Sequence, residues 1–78
     1  MHAFDVHLRS VDDVKTFVNA ASLVSCDIDV LSGRYLVDAK SIMGLFSLNL
    51  AKPVTVQLHG SEEDANAFRQ AIPALLAP

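Results

Sequence analysis

The chain has 78 residues, 51% of them hydrophobic and 19% charged, and carries a formal net charge of −3. That length supports one small domain with one core, and the composition is that of a packed globular unit rather than a disordered segment. Six Lys and Arg scattered singly exclude the basic patch that nucleic acid demands, and the single cysteine, Cys26, excludes an internal disulfide framework.

No His–Cys cluster has metal-ligand spacing, so neither a metal nor another cofactor is expected. Met1 to Asp5 lacks the basic lead and apolar run of a secretory signal, and no apolar stretch approaches the roughly 20 residues of a membrane span. The expectation is a cytoplasmic protein with protein partners, no nucleic acid and no membrane.

Phe4, Val6 and Leu8 alternate with Asp5, His7 and Arg9, which predicts a half-buried strand over 4–8. Ser10, followed three residues later by Asp13, is a capping-box variant, and Asp12 and Asp13 suit the positive end of a helix dipole. Val14, Phe17, Val18 and Ala21 recur at helical spacing, so a helix is predicted over Val11 to Ser22. Asp27 to Leu31 and Arg34 to Asp38 read as antiparallel strands joined through Ser32-Gly33, where glycine supplies the positive φ of a tight hairpin.

Ser41 then opens a short helix that the Asn49 to Pro53 segment closes, because proline cannot donate to a continuing ladder. Val54, Val56 and Leu58 alternate as a last strand. Ser61 with Asp64 repeats the capping logic, and Phe68, Ile72, Leu75 and Leu76 give the final helix its apolar side, with Pro73 expected to kink or interrupt it. The order is β-α-β-β-α-β-α. Four strands with one-sided helices are best satisfied by an α+β open-faced sandwich, an antiparallel sheet covered on one face.

The stretch Lys40-Ser41-Ile42-Met43-Gly44-Leu45-Phe46-Ser47-Leu48, followed by Ala51-Lys52, resembles the regulatory-serine segment of the HPr phosphocarrier family of the bacterial sugar phosphotransferase system. Ala20-Ala21-Ser22 is similar to the end of that family's first helix. The resemblance runs from about Phe4 to Leu76 and implies a single HPr-like domain over 1–78. Its specificity is concentrated in the Lys-Ser-Ile-Met-Gly-x-x-Ser-Leu spacing.

Upstream the pattern departs. The family carries a phosphorylatable histidine in a Gly-(Leu/Ile)-His-(Ala/Thr)-Arg-Pro-Ala run, whereas this chain reads Leu8-Arg9-Ser10-Val11-Asp12-Asp13-Val14. Counting back from Ser22 puts Ser10 at the histidine position, Asp12 at the arginine position and Asp13 at the proline position. A phosphoryl group there would meet carboxylates in place of a guanidinium, and a serine cannot form the labile phosphoramidate on which relay depends.

The resemblance implies that Ser41 is the target of a serine kinase, with Lys40 beside it as counter-charge, and that Ile42, Met43 and Phe46 form an exposed protein-binding patch while Leu45 and Leu48 face the core. As a cap alone Ser41 is worth about 1 kcal/mol. The expected protein is therefore not an enzyme: it is a regulatory or binding module without histidine phosphotransfer, as in a known family branch that lacks the histidine, keeps the serine and acts in carbon catabolite control. The alternatives are a phosphocarrier using a non-standard histidine, of which His7 is nearest the old site, and a purely structural interaction domain. His2 and His59 read as ordinary surface histidines.

Overall fold

The computed structural model describes residues 1–77. Its elements run β1 (His2–Val6), α1 (Val11–Ser22), β2 (Asp27–Ser32), β3 (Tyr35–Asp38), α2 (Ile42–Phe46), β4 (Val54–His59) and α3 (Glu62–Ala71), followed by a 3₁₀ turn at Pro73–Leu75. The strands form one antiparallel sheet in the order β1-β4-β2-β3. This is the α+β open-faced arrangement expected from the sequence. No helix among the described residues is long and apolar enough to cross a membrane.

Strand parity builds the core. The register Phe4–Val56–Val30–Val37 makes one row across the sheet, with Val6–Val54 and Leu58–Ile28 as its neighbours on the same face. Against this face pack Val14, Phe17, Ala20 and Ala21 of α1, Leu45 of α2, and Ala65 and Phe68 of α3. Phe68 lies between two other rings, edge-on to Phe17 at 5.4 Å and tilted to Phe4 at 6.1 Å. Each such pair adds about 0.5–1.5 kcal/mol beyond area burial. Arg69 covers the outside of Phe4, its guanidinium 5.2 Å from the ring centroid.

Helix α1 begins and ends where capping and periodicity place it. Strand β1, by contrast, spans His2–Val6 instead of 4–8, because its partner β4 begins at Val54, directly after Pro53, and Val6–Val54 is the last pair available. Leu8 keeps its burial without strand pairing. The β2–β3 turn is also displaced by one residue: Ser32 pairs with Tyr35, so Gly33-Arg34 is the two-residue loop. Gly33 has φ 61°, the positive value a II′-type hairpin places at its first turn position.

Pro73 interrupts the last helix instead of kinking it. Helix α3 stops at Ala71, and Pro73 opens the 3₁₀ turn that carries Leu75 into the core. The chain then returns along the outer edge of β1: the His7 amide donates to the Leu75 carbonyl at 2.8 Å, and the Ala77 amide to the Asp5 carbonyl at 3.0 Å. Leu76 bridges to Val6 between them.

Candidate functional site

Ser10 is the N-cap of α1, its Oγ accepting the Asp13 amide at 3.0 Å. The Asp13 carboxylate turns back in the opposite direction and accepts the Arg9 amide at 2.9 Å. That bond reaches one residue beyond the cap, whereas in α3 Ser61 and Asp64 close the full reciprocal box. Asp12 and Asp13 thus add two carboxylates to the first turn of α1.

Alongside lies α2. Ser41 caps it, with Oγ accepting the Gly44 amide at 3.2 Å and the Ser41 carbonyl accepting the Leu45 amide at 3.0 Å. The segment sits tightly over the sheet: a side chain on Gly44 would approach Val37 Cβ at 3.3 Å and Ser41 Oγ at 3.1 Å, so glycine permits both the cap and the close approach to β3. At the far end the Ser47 hydroxyl donates to the Gly44 carbonyl. No acidic side chain stands in the first turn of α2.

The five residues of α2 divide unevenly between core and surface. Leu45 is fully buried and Leu48 nearly so, while Met43 is 79% and Phe46 45% exposed. Ile42 is half-buried and packs against the core, so the exposed apolar surface belongs to Met43 and Phe46, with Ile42 contributing an edge. A five-residue helix turns less than one and a half times, and its first residue sits close enough to the sheet to be drawn in.

The start of α1 adjoins the end of α2 and the loop that follows it. Leu8, Ser10, Val11 and Val14 from one side and Phe46, Leu50 and Ala51 from the other line a single open depression, with Arg9 at its border. Ser10 and Phe46 are therefore brought to one place. Leu50 and Val11 were not singled out in the sequence; an apolar residue in the Asn49–Pro53 loop and one at the exposed first position of α1 are the signals that pointed here.

Lys40 bonds away from Ser41. Its ammonium donates to the Cys26 carbonyl at 3.3 Å, across to the start of β2, and its backbone amide donates to Asp38 Oδ1 at 2.8 Å. The counter-charge expected beside Ser41 is thus tethered elsewhere in this state. The expectation followed adjacency in sequence, but a lysine stem is long enough to reach the carbonyl just before β2.

His2 is on β1, and His7 stands in the link between β1 and α1. His59, at the end of β4, pairs its Nε2 with Asp29 Oδ2 at 2.9 Å on the helix-free face of the sheet. Cys26 is half-buried; burial first, and then the Asp64 carboxylate, push its thiol above the ordinary range.

A family model described as the PTS HPr component phosphorylation site matches residues 6–77. Comparison with curated protein sequences gave no match. Among solved structures, HPr-C-His from Thermoanaerobacter tengcongensis is 28% identical, with a TM-score of 0.77 over 95% of this chain and 93% of that one. The phosphocarrier protein HPr from Bacillus anthracis is 22% identical, with a TM-score of 0.72 over 95% of each chain. A histidine-containing phosphocarrier protein from Mycoplasma is 18% identical, with a TM-score of 0.74 over 99% of this chain and 100% of that one. The last two likenesses concern the fold alone.

Proposed function

The chain belongs to the HPr family of the sugar phosphotransferase system, and we propose that it is a regulatory, protein-binding member phosphorylated on Ser41 rather than a carrier of phosphohistidine. The observation that carries this reading is the start of α1, where Ser10 is engaged as a cap and Asp12 and Asp13 occupy the first turn. An incoming phosphoryl group is repelled there, and Ser10 has no imidazole nitrogen to accept it.

At Ser41 the surroundings differ in the direction that phosphorylation requires. The hydroxyl is at an exposed residue, the Gly44 amide donates to its oxygen, and no carboxylate lies in the turn that follows. Transfer from ATP breaks the bond between the γ-phosphorus and the bridging oxygen, forms the Ser41 Oγ–P bond and releases the hydroxyl proton. The product places a dianion beside the Gly44 amide. Lys40 joins it only by leaving the Cys26 carbonyl. Met43 and Phe46 then present apolar surface next to the new charge, a combination suited to a protein partner, with Ile42 at the margin.

Two incubations test this. The phosphorylated general enzyme of the system should leave no acid-labile label on the chain, and a serine kinase of the family should label Ser41 and nothing else. Acid-labile label that disappears in His7→Ala would instead support a carrier role through that histidine. Absence of label in both incubations would leave an interaction domain that uses only its surface.

A further inference from the structure

The two edges of the sheet are finished differently. Residues after the 3₁₀ turn run along β1 and bond to Asp5 and His7. At the opposite edge β3 has β2 on one side and, among the described residues, no strand on the other.

Backbone alternation shows what β3 presents there. The Ala39 amide donates to the Ile28 carbonyl, so residue 39 faces β2. In an antiparallel ladder residues two apart face the same way; Tyr35, Val37 and Ala39 therefore turn their backbone toward β2, while Leu36 and Asp38 turn theirs to the open edge, with the Asp38 carbonyl also accepting the Ser41 amide at 3.0 Å and Arg34 standing in the turn just before the strand. By the same alternation the side chains of Leu36 and Asp38 share the helix-free face. Leu36 is 59% exposed there, beside half-buried Leu31, its cross-strand partner.

Charges on an edge strand ordinarily blunt it against pairing. Here the two charges have opposite signs and stand two residues on either side of Leu36. Neither Arg34 nor Asp38 is in an ion pair among the described residues. Asp38 Oδ1 accepts the Lys40 amide, which leaves Oδ2 for another donor.

We propose that β3 is a self-complementary edge that pairs antiparallel with β3 of a second copy of this chain, about a two-fold axis at Leu36. That register sets Leu36 opposite Leu36 of the second copy, Arg34 opposite Asp38 at both ends, and Tyr35 opposite Val37. The register joins the outward-facing Leu36 backbones of the two copies by a pair of hydrogen bonds and leaves the Asp38 amide, which also faces outward, at a bonding position. Sliding it either way by one pairing step sets Leu36 against a charge and breaks both Arg34–Asp38 contacts, so charge selects one register.

The result is a continuous eight-stranded sheet with a Leu31–Leu36 row extended across its centre. Since α2 covers Val37 on the other face, the new apolar contacts gather on the helix-free side. An interface of four-residue strands is small, below roughly 1,200 Å², and the pairing is correspondingly weak and concentration-dependent. The ion pairs serve register and specificity more than affinity.

Sedimentation velocity on the full chain, from micromolar to roughly millimolar protein at low salt, reads the outcome. The wild type should shift from monomer toward dimer as concentration rises. Arg34→Asp sets carboxylates opposite each other at both ends and should weaken dimerisation by about tenfold or more, and Asp38→Arg does the same with guanidinium groups. An equimolar mixture of the two variants should regain the dimer, because each heterodimer end then joins opposite charges. Because Asp38 also holds the Lys40 amide, Leu36→Lys serves as a second disruptive variant should Asp38→Arg misfold, and concentration-dependent amide shifts at Leu36 and Asp38 then locate the contact. A wild type that stays monomeric throughout, a dimer indifferent to Arg34→Asp and Leu36→Lys, or folded variants whose mixture remains monomeric would overturn the proposal.

Discussion

At the start of α1 Ser10 Oγ accepts the Asp13 amide at 3.0 Å, and at the start of α2 Ser41 Oγ accepts the Gly44 amide at 3.2 Å; yet only the first cap is followed by carboxylates in its opening turn. The caps are equivalent as local structure. What separates them is the charge their neighbours place around the serine oxygen. On the proposed reading, two helix starts with the same backbone chemistry are unequal sites for a phosphoryl group, one repelling it and one admitting it.

The comparison would break if α2 were only a core helix, and the largest effect tests that. Leu45→Ala should cost roughly 2–5 kcal/mol, since it empties a fully buried position. Phe46→Ala should cost markedly less in stability while weakening partner binding, because nearly half of its surface is already in solvent. Chemical denaturation of both variants checks the contrast, and equal losses would assign the whole helix to the core.

Much of this contrast was legible in the sequence. Ser10 with Asp13, and Val14, Phe17 and Ala21 behind them, marked α1 to its observed ends, because a cap and a 3.6-residue period are local features. Burial was also legible at Leu8, but strand pairing was not: alternation reports which face a residue takes, while the length of a strand depends on where its partner begins, here after Pro53. Gly33 announced the hairpin, yet whether it shared the two-residue loop with Ser32 or with Arg34 depended on the register with β2. The order β1-β4-β2-β3 and the reach of Lys40 to the Cys26 carbonyl are tertiary facts with no local trace. Ser10 and Phe46 share one depression for the same reason: they are 36 positions apart and meet only through packing.

Removing each cap in turn sharpens the comparison at smaller cost. Ser10→Ala and Ser41→Ala should each lose about 1 kcal/mol, since each leaves one amide without its acceptor. Similar losses in thermal melts would show that the caps are equivalent and that their difference lies in the surrounding charge. Phosphorylation of Ser41 should leave the melting temperature unchanged or slightly raised, because the added oxygens remain beside the Gly44 amide. A marked fall would contradict the surface role assigned to it.

The smallest effect comes from the third serine-capped start, that of α3, where the capping carboxylate Asp64 adjoins Cys26. Burial and then Asp64 raise the thiol pKa, so the folded state holds the thiol proton more tightly than the unfolded chain does. The associated stability is complete below the ordinary value of 9.0 and is lost as pH rises through the elevated folded value. Melting temperatures should therefore fall more between neutral and strongly alkaline pH in the wild type than in Cys26→Ala. Asp64→Asn should recover only part of that difference, since burial is the larger cause.

Site-resolved mass spectrometry after parallel incubation with the phosphorylated general enzyme and with the serine kinase tests the central contrast most directly. The account predicts no phosphohistidine and no label at Ser10 in the first incubation. In the second it predicts a single phosphate on Ser41 that is absent from Ser41→Ala. Acid-labile phosphate on any histidine, or kinase-dependent label that persists in Ser41→Ala, would contradict it.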